Sequence, residues 1–196
     1  MPDPIWGQLI LQALLITINA FFAMSETALI SLDEGKLRLQ AEDGDKRAVR
    51  LLKLISSPAG FLSTIQIAIT LAGFLGSAFA AENFANPLVN WLIQIPMFAS
   101  MDAEVLKSVC VVVITLILSY FTLVFGELVP KRVAMQKTDA VARLVCSVVI
   151  GFAAIFRPVV WLLTLSTNLV LRLIGIDPNE EHEEVTEQEI RMMADI

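Results

Sequence analysis

An all-α, polytopic membrane fold is predicted for this chain, and three observations predict it. First, 56% of its 196 residues are hydrophobic and only 17% are charged, where a soluble domain carries roughly 25% charge. Second, the apolar residues fall in four runs, 5–30, 61–81, 105–125 and 144–176. Each approaches or exceeds the roughly 20 residues that cross about 30 Å of hydrocarbon. Third, these runs lack the polar stripe that a water-facing helix needs, which argues against a soluble bundle of buried helices.

The first run, Ile5–Ile30, reads as a retained span and not a cleaved leader. The residues before it carry Asp3 and no Lys or Arg, and no small-x-small cleavage site follows. Lys36, Arg38, Lys46, Arg47, Arg50 and Lys53 then lie between runs one and two, and Lys131, Arg132, Lys137 and Arg143 follow run three. Residues 82–104 contain neither Lys nor Arg. The positive-inside bias therefore puts segments 31–57 and 126–143 in the cytoplasm and the amino end outside, with three crossings.

Within the first basic segment, Leu32, Leu37, Leu39, Ala48, Leu51, Leu52 and Ile55 recur among the charges. This spacing predicts two short amphipathic helices joined at Asp43-Gly44-Asp45. Ser56-Ser57-Pro58 predicts a serine-capped start for the second span. In the outer loop, Asn86-Pro87 is expected to divide off a short piece, 88–95, resting at the interface with Trp91 as anchor; Trp6 and Trp161 are candidate anchors too. The fourth run is interrupted by Arg157-Pro158. An arginine at mid-bilayer is costly and proline kinks a helix. A bent, non-crossing helix pair on the cytoplasmic side is expected; a straight span with Arg157 paired or snorkelling is the other reading.

Several function classes are disfavoured. Asp33, Glu34, Glu42, Asp43 and Asp45 share the first basic segment, so it offers no clean positive face to nucleic acid. Cys110 and Cys146 sit in apolar runs and read as small buried hydrophobes. The one histidine, His182, lies in an acidic tail, 177–196, which holds eight Asp and Glu against Arg191 alone. No nucleophile–base constellation points to an enzyme.

The informative polar groups lie inside the apolar helices. Span one carries Asn19, Ser25, Glu26 and Thr27 near its inner end. Glu26 fits an interfacial ion pair as well as a site, and Ser25 fits a hydrogen bond to its own helix. In span two, Thr70, Gly73 and Ser77 share one face, a small-residue stripe that permits close helix packing and equally exposes backbone carbonyls. The sharpest signal is Gly126-Glu127-Leu128-Val129-Pro130-Lys131. Pro130 has no amide hydrogen for the carbonyl of residue 126 and its ring presses on that oxygen. A freed carbonyl beside a carboxylate and hydroxyls is a set of hard oxygen donors, the ligands of magnesium, calcium and sodium. A Glu127–Lys131 pair at i,i+4 in a plain structural kink is the alternative.

Ser25-Glu26-Thr27-Ala28-Leu29, then Thr64-Ile65-Gln66-Ile67-Ala68-Ile69-Thr70-Leu71-Ala72-Gly73, then Gly126-Glu127-Leu128-Val129-Pro130-Lys131 together resemble the transmembrane domain of the CNNM/CorC magnesium transporter family. The likeness covers about residues 5–176. It implies a homodimer with three membrane-spanning helices and a cytoplasmic-side juxtamembrane belt helix per subunit. It implies magnesium transport, as export with sodium as a driving ion, across the cell membrane. A magnesium-binding sensor or scaffold that regulates other transporters is the alternative. Carried onto this chain, the ligand set is Ser25, Thr70, the Gly126 carbonyl and Glu127, with Glu26, Gln66, Gly73, Pro130 and Lys131 in support. Such families often carry asparagine where this chain has Thr70, a shorter oxygen donor. The resemblance also makes 177–196 a linker and the start of an absent cytoplasmic CBS pair that would bind ATP; Val185–Arg191 looks like its first residues.

Overall fold

The computed structural model describes residues 5–96, 98 and 101–176. The acidic segment 177–196, with His182, lies outside them. Two units are distinguished, 1–155 and 156–196.

In the first unit α1 (Ile5–Ile30) is followed by two short helices, α2 (Glu34–Glu42) and α3 (Lys46–Ile55), and then by the long α4 (Pro58–Leu92). α5 (Ala103–Leu123) runs into a π-helical turn (Val124–Leu128) and on into α6 (Val129–Gln136). α7 (Thr138–Ile174) begins in the first unit and ends in the second. α1 packs against α4, the π-turn and α6, while α4 packs against α5.

The short helices form where the charge pattern predicts, and their ends have identifiable chemistry. Asp33 accepts from the Lys36 amide at 3.0 Å, and Asp45 accepts from the Arg47 amide at 2.8 Å; both are N-caps. Between them Gly44 takes φ 91°, a left-handed turn that L side chains resist. Leu37 of α2 and Leu51 of α3 point into the main core with Phe22, Phe61, Ile65 and Val145, so the short helices are sealed onto the ends of α1, α4 and α7. Polar contacts reinforce this junction. Lys36 pairs with Asp139, and Arg143 reaches Asp45 at 2.8 Å and Gln40 at 2.9 Å. Cys110 and Cys146 are both free and buried, as their apolar settings suggest.

Three sequence expectations require correction. Pro87 does not divide the outer loop: α4 continues through it to Leu92. Arg157-Pro158 does not end the helix of the fourth run, because α7 is one 37-residue helix with Pro158 inside. Ser57 occupies the cap position of α4, but its side chain makes no cap hydrogen bond; Pro58 at the first turn alone marks the start. The two proline errors share a cause. Proline deletes one backbone bond, whereas leaving the helix in an apolar setting orphans several, so the helix persists. Four helical segments of the described residues, not three plus a belt, are therefore long and apolar enough to span a bilayer: Ile5–Ile30, Gly60–Leu92, Ala103–Gln136 and Thr138–Ile174. The chain is an all-α, multi-pass membrane protein.

Asp45 carries a pH prediction. The Arg47 amide, then the nearby Arg143 guanidinium, hold its carboxyl below the ordinary 3.8. A depressed carboxylate stabilises the fold above its unfolded pKa and loses that contribution as pH falls through the folded value. Asp45→Asn should therefore lower the thermal midpoint of detergent-solubilised protein at pH 7. The gap from wild type should close below about pH 4; a gap of unchanged size there would refute the assignment.

Candidate functional site

The site is built from a single missing amide. Without an N–H, Pro130 cannot close the ordinary bond to Gly126, and the chain widens at this point: the Val129 amide reaches back five residues to the Val124 carbonyl. Such π-turns frequently occur at functional positions. The Gly126 carbonyl accepts a hydrogen bond from Asn19 Nδ2 of α1 at 3.1 Å, in a buried setting. Only glycine permits this approach, since a Cβ on residue 126 would lie 3.0 Å from Asn19 Nδ2 and 3.5 Å from the Ile16 carbonyl. Asn19 is 4% exposed, and its Oδ1 is buried with no hydrogen-bond partner. An unpaired oxygen of this kind is costly, and it adds a neutral donor to the same locality.

Two carboxylates and one ammonium lie on the neighbouring turns. Lys131 Nζ is 2.9 Å from Glu127 Oε1 and 3.2 Å from Glu26 Oε2. The i,i+4 pair expected from sequence is thus present, but it is shared with α1. The three side chains keep 24–37% of their surface exposed, so the cluster is half-buried and open on one side.

Beside it, Glu127 lines a cavity of about 390 Å³ together with Gln12, Thr70, Gly73, Ser77 and Thr122. Of the residues singled out from sequence, the structure therefore brings Thr70, Gly73 and Glu127 to one cavity, and Glu26, Glu127 and Lys131 to one ionic cluster. Gln66 is exposed, and its amide makes only a marginal 3.5 Å contact to the Thr70 hydroxyl. Ser25 stands apart from the cavity: it is fully buried, and its hydroxyl donates to the Phe21 carbonyl of its own helix at 2.7 Å. That is the plain role open to any membrane serine, although the oxygen keeps a lone pair. Gln12 is the residue that sequence reasoning passed over, and Asn19 was noted there without a partner or a role. Their signal was an amide inside an apolar run.

The family profile described as the Cyclin M transmembrane N-terminal domain (CNNM) matches residues 10–196. The chain belongs to the CNNM family. Relatives include a UPF0053 protein of Synechocystis, 38% identical over 92% of this chain and 39% of its own length. The UPF0053 protein YrkA of Bacillus subtilis is 31% identical over 94% of this chain and 42% of its own length. A polyamine export protein of Salmonella typhimurium is 28% identical over 90% of this chain and 38% of its own length. The chain thus spans about two-fifths of the length of these curated relatives.

For a CNNM chain the donor set suits a hard cation. Among the described residues no group of three or more His, Cys, Asp or Glu converges. The neutral oxygens nearest this pair of carboxylates along the chain and across the helices are the Gly126 carbonyl, which Asn19 Nδ2 meets, and the Thr70 hydroxyl, which lines the cavity with Glu127.

The Asn19–Gly126 contact predicts a specific coupling. Gly126→Ala should lower the thermal midpoint in the wild-type background, by an overpacking cost of about 1–3 kcal/mol. In an Asn19→Ala background the same substitution should be close to neutral, because the crowding atom is gone. Equal costs in both backgrounds would show that Asn19 does not hold this turn.

Proposed function

We propose that this protein moves magnesium across the cell membrane, as an exporter working by alternating access, with sodium as the coupling ion. The observation that carries the reading is the Lys131 ammonium bridging Glu26 and Glu127 beside the Gly126 π-turn. A half-buried carboxylate pair is steadied by a counter-cation, and here the counter-cation sits on a long flexible stem. A side chain of this kind is displaceable by an entering ion. Membership of the CNNM family supports the magnesium assignment. The polyamine export relatives support an outward direction, since export is what their names state.

In this scheme Glu127, the Gly126 carbonyl, Thr70 and Ser25 take the ion, and Glu26 adds field from α1. Gly73 keeps α4 close, Pro130 maintains the turn, and Gln66 steadies Thr70. Magnesium gives up water reluctantly, so release of its hydration requires several protein oxygens at once. Repulsion within an ion-free carboxylate pair favours closure around a cation, and the opposite opening releases it outward.

For topology, the proposal is an outside amino end, three crossings by α1, α4 and α5–α6, and α7 as a cytoplasmic-side belt. The ion pairs Lys36–Asp139 and Asp45–Arg143 support it by tying the start of α7 to the basic α2–α3 pair. Arg157 near the middle of α7 supports it further, because a straight crossing would carry that charge into hydrocarbon. A homodimer, and a following CBS pair that binds ATP, belong to the same proposal, as does the role of 177–196 as a linker.

Purified protein in liposomes should carry magnesium, with flux lost in Glu127→Ala and altered by a sodium gradient. Lys131→Met should raise equilibrium magnesium affinity by about ten-fold or more, as the competing charge is removed. Binding without flux would turn the reading to a magnesium sensor that regulates other transporters. Transport of spermidine in place of magnesium would turn it to an organic polycation.

A further inference from the structure

The polar face of α1 continues beyond Asn19 toward the amino end. Gln12 is 7% exposed. Its amide lies against α4 at Gly76, where a Cβ would come within 3.1 Å of Nε2. Among the described residues this amide has no hydrogen-bond partner, and its polar atoms are not among those fully sealed from solvent. One turn further out, Gln8 Nε2 donates to Asn83 Oδ1 at 3.3 Å, while Gln8 Oε1 is buried and unpartnered.

Gln12 shares the lining of the cavity of about 390 Å³ with Glu127, with hydroxyls from Ser77 of α4 and from Ser119 and Thr122 of α5, and with the apolar Phe74, Leu118 and Leu123. These hydroxyls differ from others in the same helices. Thr64 of α4 and Ser108 of α5 donate to the carbonyl four residues back in their own helix. Ser77, Ser119 and Thr122 make no hydrogen bond to a described residue. The wall therefore presents amide and hydroxyl oxygens with unused acceptor capacity and a single carboxylate, Glu127.

We propose that this cavity is a station for a cation that keeps its water shell, with Gln12 as its principal amide acceptor. It adjoins the oxygen cluster that would strip the ion at the π-turn and shares Thr70 and Glu127 with it, and the inference rests on the transport reading. Six waters at about 30 Å³ each occupy roughly 180 Å³, so a hexahydrated divalent ion fits the space. The water hydrogens of such an ion need acceptors, and neutral oxygens distributed on three helices supply them without trapping the charge. A site of this kind is also where magnesium regains or surrenders water stepwise. That lowers the cost of the reluctant dehydration.

The test uses cobalt(III) hexaammine, a cation of similar size whose six ligands do not exchange and which cannot enter a dehydrated site. It is titrated calorimetrically into the full chain in nanodiscs. The wild type should bind it. Gln12→Met, nearly equal in volume, should weaken that binding about ten-fold, the loss of one hydrogen bond to a charged group. The pair Ser77→Ala and Ser119→Ala should weaken it similarly, and decides the matter if Gln12→Met fails to fold. Ser25→Ala, outside the cavity, should reduce magnesium binding yet leave hexaammine binding in place. Absence of hexaammine binding by the wild type overturns the proposal. So does binding indifferent to both cavity variants, which would assign the trivalent ion to acidic side chains elsewhere. If the wild type neither binds nor carries magnesium, the transport reading falls by itself, and the hexaammine titration still decides the cavity.

Discussion

The missing amide hydrogen of Pro130 is the constraint on which the site depends. An ordinary α-helical turn would return the amide of residue 130 to the Gly126 carbonyl and leave that oxygen no special role. Proline forbids this, the turn widens to the π form between Val124 and Leu128, and the carbonyl is met by Asn19 from α1. One residue's covalent chemistry thereby sets the register between α1 and the α5–α6 pair. The same register carries Glu127 and Lys131 to Glu26. Gly126 is the matching complement, because a Cβ there would stand 3.0 Å from Asn19 Nδ2 and press on the amide that meets the turn.

Around this point the fold separates two tasks. The ends of α1, α4, α6 and α7 are sealed by α2 and α3 into one apolar core, with Leu37 and Leu51 as plugs. Its rim is tied by the Lys36–Asp139 and Arg143–Asp45 pairs. On the other side of the π-turn α1, α4 and α5 leave a cavity whose wall mixes Gln12, hydroxyls and Glu127 with apolar side chains. An irregular backbone turn beside such a cavity is the arrangement in which membrane helices tolerate a broken hydrogen-bond pattern.

What could be read from sequence follows from how local each cause is. The freeing of the Gly126 carbonyl was legible, since Pro130 names a bond exactly four residues back in the helix pattern. The Glu127–Lys131 pair was legible for the same reason, and Asp43-Gly44-Asp45 announced the α2–α3 turn by composition. The partners from α1 were not. Asn19 and Gly126 are 107 residues apart, and nothing in an apolar run says which face of α1 turns toward the π-turn. For Ser25 the backbone bond that the sequence offered as one reading is present, its hydroxyl donating to the Phe21 carbonyl of its own helix. Pro87 and Pro158 misled because the local rule for proline is weaker than the demand of an apolar environment for a continuous helix.

Charge balance then limits how the ionic cluster can operate. With Lys131 in place, two carboxylates and one ammonium leave a single negative charge. Adding a divalent ion without moving the lysine would set like charges side by side. At about 4 Å and an effective dielectric of 20, two unit charges repel by about 4 kcal/mol, and a divalent ion doubles this to about 8 kcal/mol. That is a large fraction of any plausible binding free energy, so lysine and magnesium exclude each other from the space between Glu26 and Glu127. The lysine has somewhere to go, because about a third of its side chain faces outward. A monovalent ion meets half the repulsion and needs less displacement. On the proposed reading the same cluster would distinguish ions by charge, and the position of one flexible side chain would report which of them is bound.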